Sequence, residues 1–171
     1  KTHYPAEFMA AVMSCDMDHT ETLVAMLAEC RRMKLVVHPP DINRGAYKFA
    51  VPKPGEIIYG LGAIKGVGEA ALAGVIAERS ANGPFRDLFD FCARIDLKKA
   101  NKRVLEALIH SGALDRFGLN RASLLKNLPR ALAMAEAASH SASTGQNDMF
   151  GMSSGPSMTG ATARIESDIV P

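Results

Sequence analysis

Apolar residues return at helical spacing through most of the first 138 positions, and then the spacing stops. Pro5 suits the first turn of a helix, where its missing N–H costs nothing, and Phe8, Met9, Val12 and Met13 then share one face. That helix should end near Cys15 or Asp16. Asp18 or Thr20 can cap the next, with Glu21 in capping-box position for Asp18. Leu23, Val24, Leu27 and Cys30 give it an apolar stripe; Arg31, Arg32 and Lys34 crowd its last turns, where cations suit the helix dipole, and Pro39-Pro40 stops it. Between 46 and 60 the period drops to two. Residues 47–51 and 56–59 alternate like strands around Pro52-Lys53-Pro54-Gly55, which predicts a small β-hairpin.

Helical spacing then resumes. A short helix carrying Leu61 and Ile64 inward precedes Gly66, and a longer one runs from about Glu69 to Arg79 with Ala71, Leu72, Val75 and Ile76 buried. Asn82-Gly83-Pro84 ends it. Phe85, Leu88, Phe89 and Cys92 form the next stripe, with Phe91 turned to the other side. Such an aromatic stripe is core before it is a stacking platform for bases. Asn101 caps a helix containing Val104, Leu105, Leu108 and Ile109, and Ser111-Gly112 ends it. Asn120 caps the last helix, with Leu124, Leu125, Leu128 and Leu132; Pro129 predicts a kink or break there. Helix–turn–helix thus occurs twice, at 60–79 and 101–135, and the two units packed face to face would form one core. From about Ser139 small polar residues dominate, which reads as a disordered tail.

The turn in the first unit, Gly66-Val67-Gly68, carries candidate chemistry. Glycine permits positive φ and a sharp reversal. A helix that starts at once leaves the amides of Val67, Gly68 and Glu69 without helical partners, and such a start attracts phosphate. Lys65 adds a cation. This is the form of a helix-hairpin-helix element, which grips a nucleic-acid backbone without reading bases; a plain turn between two packed helices is the competing reading. The second unit lacks G-x-G. Charge favours a polyanion partner: residues 96–130 hold eight basic side chains, among them Lys102, Arg103, Arg116, Arg121 and Lys126, against three acidic ones. The net charge of the whole chain, only +2, understates this local excess.

Other chemistry is missing from the pattern. There is no Walker lysine and no defensible carboxylate pair, and the five histidines are scattered. Cys15, Cys30 and Cys92 are too far apart for a CxxC pair and fit reduced thiols in a cytoplasmic protein. No apolar run approaches the roughly 20 residues of a membrane span. The first residues lack both an apolar leader and a Met, as in an excised piece of a longer protein. Inside the tail, Gln146-Asn147-Asp148-Met149-Phe150 sets two large apolar side chains among small polar ones, the profile of a linear motif that orders in a partner's pocket.

Several of these stretches, in this order, resemble the bacterial replicative polymerase III alpha subunits: Tyr4-Pro5-Ala6-Glu7-Phe8-Met9-Ala10, Asp16-Met17-Asp18, Pro39-Pro40-Asp41-Ile42-Asn43, the run from Tyr59 to Glu69, Leu88-Phe89-Asp90-Phe91-Cys92, and 101–109. The resemblance covers residues 1 to about 150. It implies a mainly α chain: residues 1–42 closing a helical fingers domain, 43–138 a tandem helix-hairpin-helix domain with one small β-hairpin, and 139–171 a flexible tail. It also implies duplex DNA as a partner, held by Lys65, Gly66, Val67, Gly68, Lys102, Arg103, Arg116 and Arg121. The sliding clamp would be bound through Gln146, Asp148, Met149 and Phe150, with Met149 and Asn147 departing from the residues frequent in such pentapeptides. Other replicase subunits would be reached through the rest of the chain. The catalytic aspartates and the Mg²⁺ of the parent DNA-directed DNA polymerase would lie elsewhere, so this segment itself would be non-catalytic and need no cofactor. A protein-interaction scaffold that binds only the clamp, and a DNA-repair helix-hairpin-helix module, are the rival readings.

Overall fold

A computed structural model describes residues 3–144. Six helices and a three-stranded sheet follow in order: α1 Pro5–Cys15, α2 Thr20–Arg32, β1 Val36–His38, β2 Ala50–Lys53, β3 Glu56–Ile58, α3 Glu69–Asn82, α4 Leu88–Arg94, α5 Lys102–His110 and α6 Arg121–Thr144. Short 3-10 turns at Leu61–Ala63 and Asp115–Phe117 lead into α3 and α6. The chain is mainly helical, as its periodicity predicts. The tail beyond 144, with the pentapeptide, lies outside the described residues.

Two apolar clusters organise these elements. The first gathers Met9, Met13, Leu23, Cys30, Leu35, Phe49 and Ile57 between α1, α2 and the sheet. The second is larger and continuous from Ile42 to Ala135, so both helix–turn–helix units share one core. Tyr59 packs against both clusters, its ring edge-on to Phe49 at 4.9 Å. The packing therefore crosses the border drawn at residue 42: Phe49 and Ile57 belong with α1 and α2, and Ile42 with the hairpins.

The sheet departs from the sequence reading. β2 and β3 form the expected antiparallel hairpin, shifted so that Pro52 lies inside β2 and the turn is Pro54-Gly55. A strand can hold Pro52 because β2 is an edge strand, where a missing N–H interrupts no ladder. The unexpected strand is β1, which pairs in parallel with β3, Val36 opposite Glu56. It forms because α2 ends before Pro39-Pro40. Lys34 takes φ 57°, Leu35 N–H reaches back to the Cys30 carbonyl, and Lys34 N–H to that of Arg31. This C-terminal lock releases 36–38 as an extended segment.

Three helix faces and one boundary also differ. α1 buries Ala6, Met9, Ala10 and Met13, while Phe8 is 42% exposed. Its residues are apolar almost all round, so period alone does not choose the inward face, and the small alanines allow the closer approach. In α2, His19 takes the N-cap position with no side-chain cap, and Val24 faces solvent. The capping box of Asp18 and Glu21 does not form. Asp87 caps α4, accepting from Phe89 and Asp90 amides, so the helix starts after Phe85. Its inward stripe becomes Leu88, Phe91, Cys92 and Ile95, with Phe91 fully buried and edge-on to Phe85 at 4.8 Å. α6 runs uninterrupted through Pro129 and past Ser139 to Thr144.

Candidate nucleic-acid interface

The first hairpin is built by a tight turn. Val67 N–H donates to the Ile64 carbonyl at 3.1 Å, which makes Lys65 and Gly66 the central pair of a β-turn. Gly66 has φ 89°, the left-handed value that the third turn position demands and that a side chain resists. Val67 is buried in the larger core and anchors the turn, while Lys65, Gly66 and Gly68 are exposed. Gly68 is the N-cap of α3, with φ −82° and ψ 156°, values open to any residue. Its role is the absence of a side chain: α3 has no side-chain cap. The N–H groups of Gly68, Glu69 and Ala70 have no acceptor among the described residues and face solvent. The amide of Val67, counted as open on sequence, is used inside the turn. Glu69, also exposed, places a carboxylate beside the remaining donors.

The second hairpin repeats the backbone with different side chains. A 3-10 turn at Asp115–Phe117 precedes Gly118, with φ 77°, then exposed Leu119, then the N-cap Asn120 and α6. Gly118-Leu119-Asn120 thus stands where the first hairpin has Gly66-Val67-Gly68. The sequence signal was present, a glycine two positions before a cap, but reading only G-x-G passes over it. Here one of the spare donors is taken up. The Asn120 carboxamide oxygen accepts from Ser123 N–H at 2.7 Å. Arg121 donates to both carboxylate oxygens of Asp115, at 3.0 and 2.7 Å, and to the His110 carbonyl at the end of α5. The Arg121 guanidinium donating to it holds the Asp115 carboxyl below its usual range. Gly112, at φ 85°, lies directly beneath this bridge, where an added Cβ would run into Arg121.

The other cations separate along the same line. Arg116 pairs with Asp41 at 2.7 Å and fastens the loop after β1 to the second hairpin. Arg116 and Arg121 are each engaged by an aspartate while about half of each side chain stays exposed. Lys102, in the first turn of α5, is 3.7 Å from Glu106. Arg103 and Lys126 are exposed and make no ion pair among the described residues. Sequence reasoning missed Arg79, which reaches from α3 to the carbonyls of Ile42 and Gly45 and holds the first hairpin's second helix against the preceding loop. Burial pulls its pKa down. Asn43 completes that attachment by exchanging two 2.8 Å hydrogen bonds with the Phe85 backbone.

A family profile described as a helix-hairpin-helix motif matches residues 34–124, more than half of the chain, including both hairpin turns. The chain belongs to the helix-hairpin-helix family. Over most of its length this helix-hairpin-helix chain is also similar to curated proteins named DNA polymerase III subunit alpha. It is 55% identical to that of Vibrio cholerae over 152 residues and 56% identical to that of Escherichia coli K12, in each case across 89% of the chain. With that of Pseudomonas aeruginosa it shares 48% identity over 166 residues. The chain spans only 13–14% of the length of these relatives. Within the described residues of the helix-hairpin-helix chain, no three His, Cys, Asp or Glu side chains converge on a possible metal position. No described helix is long and apolar enough to cross a membrane.

Proposed function

We propose that this chain is a non-catalytic segment of a replicative DNA polymerase of the III alpha type, gripping duplex DNA by its backbone and docking a sliding clamp through the pentapeptide at 146–150. The observation that carries the DNA reading is the uncapped start of α3. Its three open amides lie beside exposed Lys65 on a turn pinned into the core by Val67. Amides and dipole together favour a phosphate there, and such contacts position a duplex without reading its sequence. Arg103 and Lys126, with Lys102 after release from Glu106, supply weaker contacts. The clamp reading rests on sequence: Met149 and Phe150 fill an apolar pocket and Gln146 hydrogen-bonds at its rim. Two modest contacts on one tether give avidity, because the second becomes intramolecular. Processive synthesis by the parent enzyme is the role such avidity serves, in the cytoplasm with the other replicase subunits.

Duplex binding measured against salt tests the first contact. Log affinity should fall with log salt at a slope of about −0.9 per phosphate engaged. No binding at low salt sinks the reading. Replacing Met149 and Phe150 together by Ala should abolish clamp capture and leave DNA affinity unchanged; a surviving clamp complex means another segment is the anchor. A scaffold that binds only the clamp draws support from the ion pairs that occupy Arg116 and Arg121 and from Glu69 at the open helix start.

A further inference from the structure

α4 and α6 pack together, yet between them runs an apolar groove that no described residue fills. One part, 270 Å³, is lined by Phe89, Ala93, Ala131, Met134 and Ala135. A second, 450 Å³, shares Ala93 and Ala135 and continues past Ile95 and Leu97 toward the C-terminal end of α6. Met134 is 54% exposed on its lip. Such contiguous apolar surface, rimmed by Asp90, Asp96, Lys98 and Glu136, marks a docking site.

We propose that the groove is the intramolecular seat of Met149 and Phe150, so that the pair is held by its own α4–α6 face until a partner withdraws it. The argument is one of reach and chemistry. α6 ends at Thr144, and the next residue is Gly145, the type that most readily reverses a chain after a helix. Met149 follows five positions beyond Thr144, a span of roughly 17 Å at about 3.3 Å per extended residue. Going back along α6 from Thr144 to Met134 covers ten residues, roughly 15 Å at about 1.5 Å each. The first large apolar side chains after the helix can therefore lie over Ala135 and Met134. The residues between, Gly145-Gln146-Asn147-Asp148, are polar or small and suit a solvent-exposed return. Seating buries two large side chains that otherwise remain in water, and the loop it closes is short.

The consequence for partner choice rests on the clamp reading above: groove and clamp would compete for the same two side chains. A groove filled about nine-tenths of the time lowers apparent clamp affinity about tenfold.

The chain has no tryptophan, so Phe150→Trp makes a single emitter in the full 171-residue chain. Its emission should lie to the blue of a free 144–154 peptide carrying the same change, independent of protein concentration. Ala93→Glu with Met134→Glu, both at exposed positions, should return it to the peptide value while circular dichroism stays unchanged. Emission equal to the free peptide in the unmodified groove overturns the proposal. A blue shift that grows with concentration also overturns it and assigns the groove to a second copy. The emission arm needs no clamp, so it stands or falls apart from clamp docking. On the native Phe150 chain, the double Glu variant should bind clamp about tenfold tighter. Unchanged affinity with clamp bound overturns the competition, whereas no clamp binding by any form overturns the clamp reading alone.

Discussion

The two hairpin turns share one backbone plan and differ in what their side chains do with it. Each runs from a 3-10 turn through a positive-φ glycine and one apolar residue to the N-cap of a long helix. At Gly66-Val67-Gly68 the apolar residue is buried, the cap has no side chain, and the helix amides stay open. At Gly118-Leu119-Asn120 the apolar residue is 46% exposed, the cap is occupied, and an arginine spans the turn to an aspartate and a carbonyl. The shared backbone plan thus differs at one donor: the Asn120 side chain takes up the Ser123 amide, and Gly68 has no side chain to do the same at α3.

The comparison breaks most visibly at the glycines. Gly66→Val and Gly118→Val should each cost about 1–2 kcal/mol by thermal or denaturant unfolding, because both place a branched side chain in the left-handed region. Only the Gly66 change should also weaken duplex binding, by about tenfold or more, if one phosphate contact worth about 1.5 kcal/mol is lost. Equal binding losses at the two sites would show that both turns grip DNA.

Exchanging the caps is a finer cut. Gly68→Asn should stabilise the fold by a few tenths of a kcal/mol and lower duplex affinity, because the new carboxamide takes up a helix amide. Asn120→Gly should do the reverse at α6. Affinity that does not respond to Gly68→Asn would remove the open amides from the interface.

The smallest effect is on pH. Arg121 lowers the Asp115 pKa in the folded state. The stability of that bridge is present above the unfolded carboxylate value and is lost as pH falls through the lowered folded one. Hydrogen exchange at Gly112 and Asp115 should therefore quicken, relative to the intrinsic rate, in acid. Val67, whose amide bond is backbone to backbone, should keep its protection over the same range.

Sequence periodicity located these features unevenly. The α5 face was fully legible, since Val104, Leu105, Leu108 and Ile109 all lie inward and Asn101 caps as its position predicts. Gly66 was legible because positive φ selects glycine. The α1 face was not, because a helix apolar all round gives period no contrast. β1 was hidden because its pairing depends on β3, a partner far along the chain, and on a lysine accepting a conformation usually left to glycine. The ion pairs of Arg116 and Arg121 were hidden for the same reason: a charge count sees the cations but not the aspartates that tertiary contact brings to them.

The parallel pairing of β1 with β3 also bears on the order of assembly. Val36 cannot find Glu56 until 20 further residues have left the ribosome, and those residues include the whole of β2. α1 and α2 can pair early through local contacts, but their lower surface stays uncovered until the β2–β3 hairpin closes against it. A synthesis pause near residue 40 would thus leave a helix pair exposing Met9, Met13 and Leu23, a substrate for a chaperone rather than a finished unit.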